Sequence, residues 1–359
     1  MNSKKILLLI SLVLLSILIS GCSSSAGIST SWHGLAVSPD IVYLSAGPQV
    51  YALDLKTGSE IWRYPDKPNA KGFYANPVLT PDGQLLLPSY DKILYSIDPK
   101  TRALNWSSVT LGNHLVGSPY VTNNMIYQPS SDGYIYALNM TGNIVWKKET
   151  KGPLWAQPTS SPDCGCIYVA SMDHTVYSYD ALSGDLFWQS PELGGSLVGT
   201  PAVSTDGVLY VGTFGSEMVA LDATNGSIKW RFGTEDWVWS GPVLANKVLY
   251  FGDLSGYFYA VNAENGTSAW PNSIQPQNSI VDKPVVLEDK IYLTTEGDTL
   301  FILSTDGNIV TSRVIGGLIY GSPLITGDTI LVAPTNFDSL LVALNLDANQ
   351  KWTFTPAKK

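Results

Sequence analysis

The chain has 359 residues and a formal net charge of −9, with hydrophobic types at 45% against 14% charged. With no local stripe of Lys or Arg to offset the acidic balance, nucleic acid and anionic lipid surfaces are poor partners.

At the N-terminus, Lys4 and Lys5 precede an apolar run over residues 6–19, broken only by Ser11 and Ser16, that ends at Ser20-Gly21-Cys22. This is a targeting segment and not part of the fold. Ile19, Ser20, Gly21 and Cys22 resemble the lipobox of prokaryotic lipoproteins. That resemblance implies cleavage before Cys22 and acylation of its sulfur, and two or more chains anchor a protein stably. The alternative is an uncleaved N-terminal membrane helix. Residues 1–21 are therefore expected to be a signal peptide, and residues 22–31 an acylated Cys with a small, polar, flexible tether. Ten residue steps from Cys22 to Trp32 reach at most about 35 Å. Losing residues 1–21 removes two lysines and no acid, leaving 19 basic against 30 acidic side chains, net −11. Membrane association then rests on the lipid alone. Ser23, not Asp, after the Cys permits sorting to an outer membrane facing the periplasm where the organism has one, and otherwise the outer face of the cytoplasmic membrane is expected.

From Trp32 onward the chain repeats. The stretch Ala52 to Trp62, ALDLKTGSEIW, is one copy, and its Trp recurs as Trp106, Trp146, Trp188, Trp230, Trp270 and Trp352, with Thr311 in the place of the seventh. A period near 41 residues marks a repeat architecture, and eight units fill residues 32–354. Each unit predicts four short strands. In the fifth unit these are residues 201–203, 208–212, 218–222 and 227–232, strands A to D, with turns at Asp206-Gly207 and Asn225-Gly226. Helical periodicity is absent. Four antiparallel strands per unit, closed radially, predict an all-β fold: a single eight-bladed β-propeller over residues 32–359.

The pattern Ala52-x-Asp54-x-x-Thr57-Gly58-x-x-x-Trp62 resembles the tryptophan-docking motif of pyrroloquinoline-quinone-type propeller repeats, and the units around Asp180 and Asp222 are near copies. Units three, seven and eight are one residue shorter between Asn139, Ser304 or Asn345 and the Trp position, which predicts a tighter turn. Trp62, Trp106, Trp146, Trp188, Trp230, Trp270 and Trp352 are expected to cap one blade against the next. Tyr43, Tyr127, Tyr168, Tyr210, Tyr250 and Tyr292 on strand B are expected to do the same.

Repeat, blade count and lipobox together resemble the propeller lipoproteins of the outer-membrane β-barrel assembly machinery. The resemblance implies a non-enzymatic, lipid-anchored, monomeric scaffold that binds envelope proteins and needs no cofactor. The alternatives are a quinone-dependent oxidoreductase or its subunit, and a surface lipoprotein that adheres or captures ligands. Quinoprotein dehydrogenases resemble one another in adjacent cysteines above the quinone, a catalytic Asp and a bound calcium. Here Gly165 separates Cys164 from Cys166 in an A to B turn. Those two residues leave open free thiols, a local disulfide or part of a metal site. His33, His114 and His174 fall in three different units, against a zinc triad. Glu235-Asp236 reads as a solvated loop rather than a general acid and base.

The loops from strand D to the next strand A vary most. Three residues before each strand-A Pro, or before Leu35 in the first unit, stand Trp32, Tyr74, Val116, Trp155, Val198, Trp239, Val281 and Tyr320. Radial repetition makes this a ring. It either packs between the innermost strands or forms an apolar collar at the channel mouth where a partner loop or extended peptide docks. The expected partner-binding residues are Trp32, Tyr74, Trp155, Trp237, Trp239 and Tyr320. Phe73 and Ile319 are expected beside them.

Overall fold

The structure is a computed structural model that describes residues 32–68, 72–162 and 164–357. The lipobox, Cys22 and the tether lie outside these residues. Runs rich in Val, Ile, Leu and Tyr form strands of two to six residues, and no helix occurs among the described residues. The strands make eight antiparallel sheets, each built from one contiguous stretch of chain with its strands in sequence order. These are the blades of an eight-bladed β-propeller.

Blade 5 shows the plan: Ala202–Val203, Val208–Thr213, Glu217–Asp222 and Ile228–Gly233, with Tyr210 opposite Ala220 and Ala220 opposite Trp230. Two blades depart from it. Strand A of blade 4 shrinks to the bridge between Thr159 and Tyr168, and strand D of blade 6 to short bridges such as Val261 with Ser268. In blade 6, Pro271 removes a backbone donor directly after Trp270.

Every C to D turn but that of blade 8, which faces Thr311, receives the Trp of the preceding blade. The indole Nε1–H of Trp146 donates to the Ala181 carbonyl, that of Trp188 to Ala223 and that of Trp230 to Ala263, at 3.1 to 3.2 Å. The strand-B Tyr of the same blade shares that acceptor: Tyr127, Tyr168 and Tyr210 hydroxyls donate to the same three carbonyls. One blade thus holds the next through a carbonyl bonded by two aromatic donors.

The glycine of the turn lies flat against the indole. A Cβ on Gly142 would come within 2.3 Å of Trp106, and one on Gly226 within 2.5 Å of Trp188. Both glycines have positive φ, so close approach and backbone conformation select Gly together. The Asp fixes the turn: Asp54 Oδ1 accepts from the amides of Lys56 and Thr57 and from the Thr57 hydroxyl. Where the turn is one residue shorter it is tighter, Asn139 N bonding Asn143 O whereas Asp54 N bonds Ser59 O.

The core is divided into clusters shared by neighbouring blades. One joins Tyr168 and Val176 of blade 4 to Leu209, Val219 and Leu221 of blade 5. Burial of these aliphatic and aromatic faces is the main stabilising term.

Candidate functional site

All eight ring positions line one cavity of about 630 Å³ at the centre of the D to A loop face. The strand-A residues Leu35, Val285 and Leu324 also line it, so strand A is innermost. Trp32, Trp155 and Trp239 come from blades 1, 4 and 6 and meet across the channel. Their ring centroids are 6.4 Å apart for Trp32 with Trp155, 5.7 Å for Trp32 with Trp239 and 6.4 Å for Trp155 with Trp239. Seven ring members are half-buried, and only Val198 is fully so.

The packing position is the one immediately before the ring. Phe73, Leu115, Leu154, Leu197, Val238, Ile280 and Ile319 are all at most 1% exposed. Phe73 and Ile319 do lie beside ring members, but packed into the clefts between blades and not exposed at the mouth. Trp237, by contrast, is 48% exposed.

Small residues just after the ring let neighbouring backbones close. A Cβ on Gly117 would lie 2.5 Å from the Trp155 carbonyl oxygen, and one on Gly199 2.6 Å from that of Trp239. The rim of the mouth is therefore a tight circle of main chain from which the ring side chains project.

A second set of residues shares this face. Phe214, in the B to C loop of blade 5, stacks on Trp237 at 4.8 Å and lies 5.5 Å from Trp239. In blade 2, Tyr90 meets Tyr74 edge-on at 4.4 Å and stacks on His114 at 4.7 Å. Sequence reasoning missed Phe214, Tyr90 and Leu254, the last of which lines the cavity. A signal was present: each stands four residues after the same strand-B position, Tyr210, Leu86 and Tyr250 respectively.

Four of the eight B to C loops, those of blades 2, 3, 4 and 6, are braced by one recurring pair. Tyr95, Tyr136, Tyr177 and Tyr259 donate their hydroxyls to Asp91, Asp132, Asp173 and Asp253 at 2.6 to 2.7 Å. Burial first, and then the carboxylate acceptor, push Tyr136 up to about 12. Asp253 is wholly buried, and loss of hydration raises its carboxyl above the usual range despite the Tyr259 hydroxyl. Glu235 and Asp236 belong to the same corner: Glu235 N bonds the Tyr259 hydroxyl and Asp236 N bonds Asp253 Oδ2. They serve as loop supports there.

His33, next to Trp32, also lines the cavity, and burial pushes its imidazole down to about 4. It is neutral at pH 7. Among the described residues, no group of three or more His, Cys, Asp or Glu side chains is placed to hold a metal ion. Cys164 and Cys166 form a disulfide with a Cα separation of 5.0 Å. It lies in the A to B turn of blade 4, on the face opposite the ring.

Fold and docking motif define the class: a β-propeller of the pyrroloquinoline-quinone repeat type. Within that class the chain belongs to the PQQ_2 family, described as outer membrane protein assembly factor BamB, whose model matches residues 26–111, 46–171, 172–284 and 255–358. It is 25% identical over 311 residues to outer membrane protein assembly factor BamB of Moranella endobia (strain PCIT), covering 80% of this chain and 78% of that one. It is 24% identical over 189 residues to tetrathionate hydrolase of Acidithiobacillus ferrooxidans, covering 44% of this chain but only 37% of that one. The crystal structure of BamB from Moraxella catarrhalis superposes with a TM-score of 0.74 at 17% identity, covering 86% of this chain and 94% of that one. The computationally designed Ika8 protein reaches 0.77 at 12% identity, covering 89% and 98%. At these identities the structural likeness speaks for the fold alone.

Proposed function

We propose that this protein is a non-enzymatic, lipid-anchored scaffold of the cell envelope that binds protein partners on its D to A loop face and serves outer-membrane protein assembly. The observation that carries the binding face is the meeting of Trp32, Trp155 and Trp239 over a cavity at the centre of that face. Half-buried aromatics grouped at the centre of a patch are what protein interfaces use as anchors. Membership of the BamB family and the Moranella relative support the assembly role. The Cys164–Cys166 disulfide fits an oxidising compartment outside the cytoplasm. Cys22 is the proposed site of acylation, and the proposed domain organisation is a signal peptide over residues 1–21, a tether over residues 22–31 and one propeller beyond.

The test changes Trp155 and Trp239 together to Glu. Trp155 and Trp239 are partly exposed, so carboxylates in their place reach solvent at the mouth; the melting temperature is expected to hold while partner capture from envelope extract is lost, because a carboxylate desolvated without a partner is expensive. Intact capture with intact melting refutes the face. A second reading, a catalytic subunit, draws on the match to tetrathionate hydrolase. Pyrroloquinoline quinone added with calcium is expected to give no stoichiometric spectral change and no dye reduction. A saturable signal favours the second reading.

A further inference from the structure

Seven of the eight ring positions follow a buried apolar side chain wedged between blades, as Trp155 follows Leu154 and Trp239 follows Val238. In the first blade that position is Ser31, a residue type with no apolar side chain to wedge. Among the described residues the chain is pinned from His33 on. The His33 ring bonds the Pro334 carbonyl, the Gly34 amide donates to Ser45 Oγ at 3.1 Å, and the Leu35 amide donates to Asn76 Oδ1 at 3.0 Å. Trp32 stands just ahead of this pinned stretch.

The Trp32 side chain is held by aromatic contact. Among the described residues it makes no hydrogen bond, and its ring lies edge-on to Trp239 at 5.7 Å and 82° and to Trp155 at 6.4 Å and 74°. Those two rings belong to blades 6 and 4, across the channel from blade 1, and are themselves 6.4 Å apart. They form a seat, and the indole of Trp32 fills it. The rest of the cavity is of another character, with Asn76, Gln157, Asp282, Lys283 and Glu296 on its wall, side chains that water solvates well. The aromatic corner is the part that favours a flat apolar occupant, because ring edges meeting ring faces gain beyond the area they bury.

We propose that Trp32 is a built-in stopper of the binding face, and that an aromatic side chain on an extended segment of the partner displaces it and takes the seat on Trp155 and Trp239. This rests on the binding face proposed above and changes the part Trp32 plays there, from anchor to competitor. An occupant carried on the same chain competes without needing any concentration of its own. Two edge contacts favour the closed form by roughly fivefold to a hundredfold, and a ligand for the seat binds more weakly by that factor. A lone aromatic residue is therefore kept off. A segment with further contacts on the same face opens it, and the exposed Trp237, stacked on Phe214 beside Trp239, offers such a contact.

The test measures binding of N-acetyl-tryptophanamide to the full folded protein by calorimetry. Trp32→Ala vacates the seat and is expected to bind this probe saturably, at least about fivefold tighter than the wild type does. N-acetyl-leucinamide, which has the same backbone and no ring, is expected to bind the variant more weakly, and adding Trp155→Glu and Trp239→Glu to Trp32→Ala is expected to abolish binding. A measurement on the wild type covers the case in which Trp32→Ala does not fold. With ¹⁵N label, the Trp32 indole signal, assigned by its loss in Trp32→Phe, is expected to move toward that of free tryptophan as the probe saturates, while the docked Trp146 and Trp188 signals stay put. The proposal is overturned by the absence of saturable binding to Trp32→Ala, by equal affinity of variant and wild type, by equal affinity for the two probes, or by a Trp32 signal that stays put at saturation. Partner capture separates this proposal from the reading beneath it, since Trp32→Ala is expected to raise capture. If it lowers capture while the Trp155, Trp239 double Glu variant also loses its partners, the stopper fails and the binding face stands. If the double Glu variant keeps its partners, the face fails and the stopper with it.

Discussion

Trp352, the last tryptophan, donates its indole N–H to the carbonyl of Leu55 at 3.0 Å across 297 positions of sequence. Its ring lies against Gly58, where an added Cβ would come within 2.4 Å. Blade 1 and blade 8 each use only their own end of the chain. The circle is therefore closed by side chains, with no strand exchanged between the ends. The same device that joins six of the seven other pairs of neighbouring blades joins the termini, reinforced by Tyr51 edge-on to Phe354 at 5.3 Å.

Trp352→Ala removes that closure. A buried Trp lost to Ala costs about 3 to 5 kcal/mol, and here the loss falls at the one interface whose blades are not also neighbours in sequence. The melting temperature is expected to drop clearly, and hydrogen exchange to rise first in blades 1 and 8. Trp146→Ala, between consecutive blades, should cost a similar amount but without exchange concentrated at the ends. Uniform loss of protection in the Trp352 variant would show that closure does not depend on it.

Blade 7 has Thr311 where the others have Trp, and the turn facing it has Ala348 where six of the other turns have Gly. Ala348 sits at φ +60° and is buried among Tyr292, Ile302 and Leu344. Its methyl occupies space that an indole would need. Thr311→Trp alone is expected to destabilise by overpacking, by about 1 to 3 kcal/mol. Adding Ala348→Gly clears the ring and also relieves the positive φ. The pair should recover stability by more than the sum of the single changes, a coupling that a double-mutant cycle of urea melts measures. Strict additivity would disprove the pairing.

The propeller was legible because one physical problem, capping a blade against its neighbour, is solved seven times in eight by nearly the same residues. Asp54, Gly58 and Trp62 carry the answer in their spacing. The mouth was less legible. A ring position such as Trp155 and its neighbour Leu154 are both apolar, and only the closed circle tells which one faces the channel and which the cleft. Phe214 and Tyr90 escaped notice because the B to C loops vary in length and composition, and the strand-B position from which their shared offset counts is Tyr210 in one blade but Leu86 in the other. The Cys164–Cys166 bond depended on turn geometry, which a Cys-x-Cys spacing leaves open.

Cys22 lies outside the described residues, and its lipidation is a separate test. Cys22→Ser removes the sulfur that would carry the acyl chains, so the protein is expected to keep its signal segment and run as the longer form, without incorporating labelled palmitate. The wild type should incorporate label and partition into detergent. A wild-type protein that is unlabelled and begins downstream of Cys22 would rule the anchor out.

His33 supplies a pH dependence whose sign follows from its burial. Its folded value is about 4 against 6.5 for the free group, so between those pH values the unfolded chain binds a proton that the folded chain does not. Stability therefore rises with pH across that window: the contribution is fully present above about 6.5 and is lost as pH falls toward 4. At roughly 1.4 kcal/mol per unit the loss amounts to on the order of 3 kcal/mol. The turn carboxylates of Asp54, Asp98, Asp180 and Asp222 are held below their ordinary range, chiefly by hydrogen bonds from the side chains and amides of their own turns. Their contributions vanish at lower pH and are common to any His33 variant. Urea midpoints at pH 7 and pH 4.5 should converge strongly in His33→Gln relative to wild type, since an amide of similar shape has no proton to gain. The same fall in midpoint for both proteins would mean that His33 is hydrated in the folded state and that its imidazole titrates as it does in the unfolded chain.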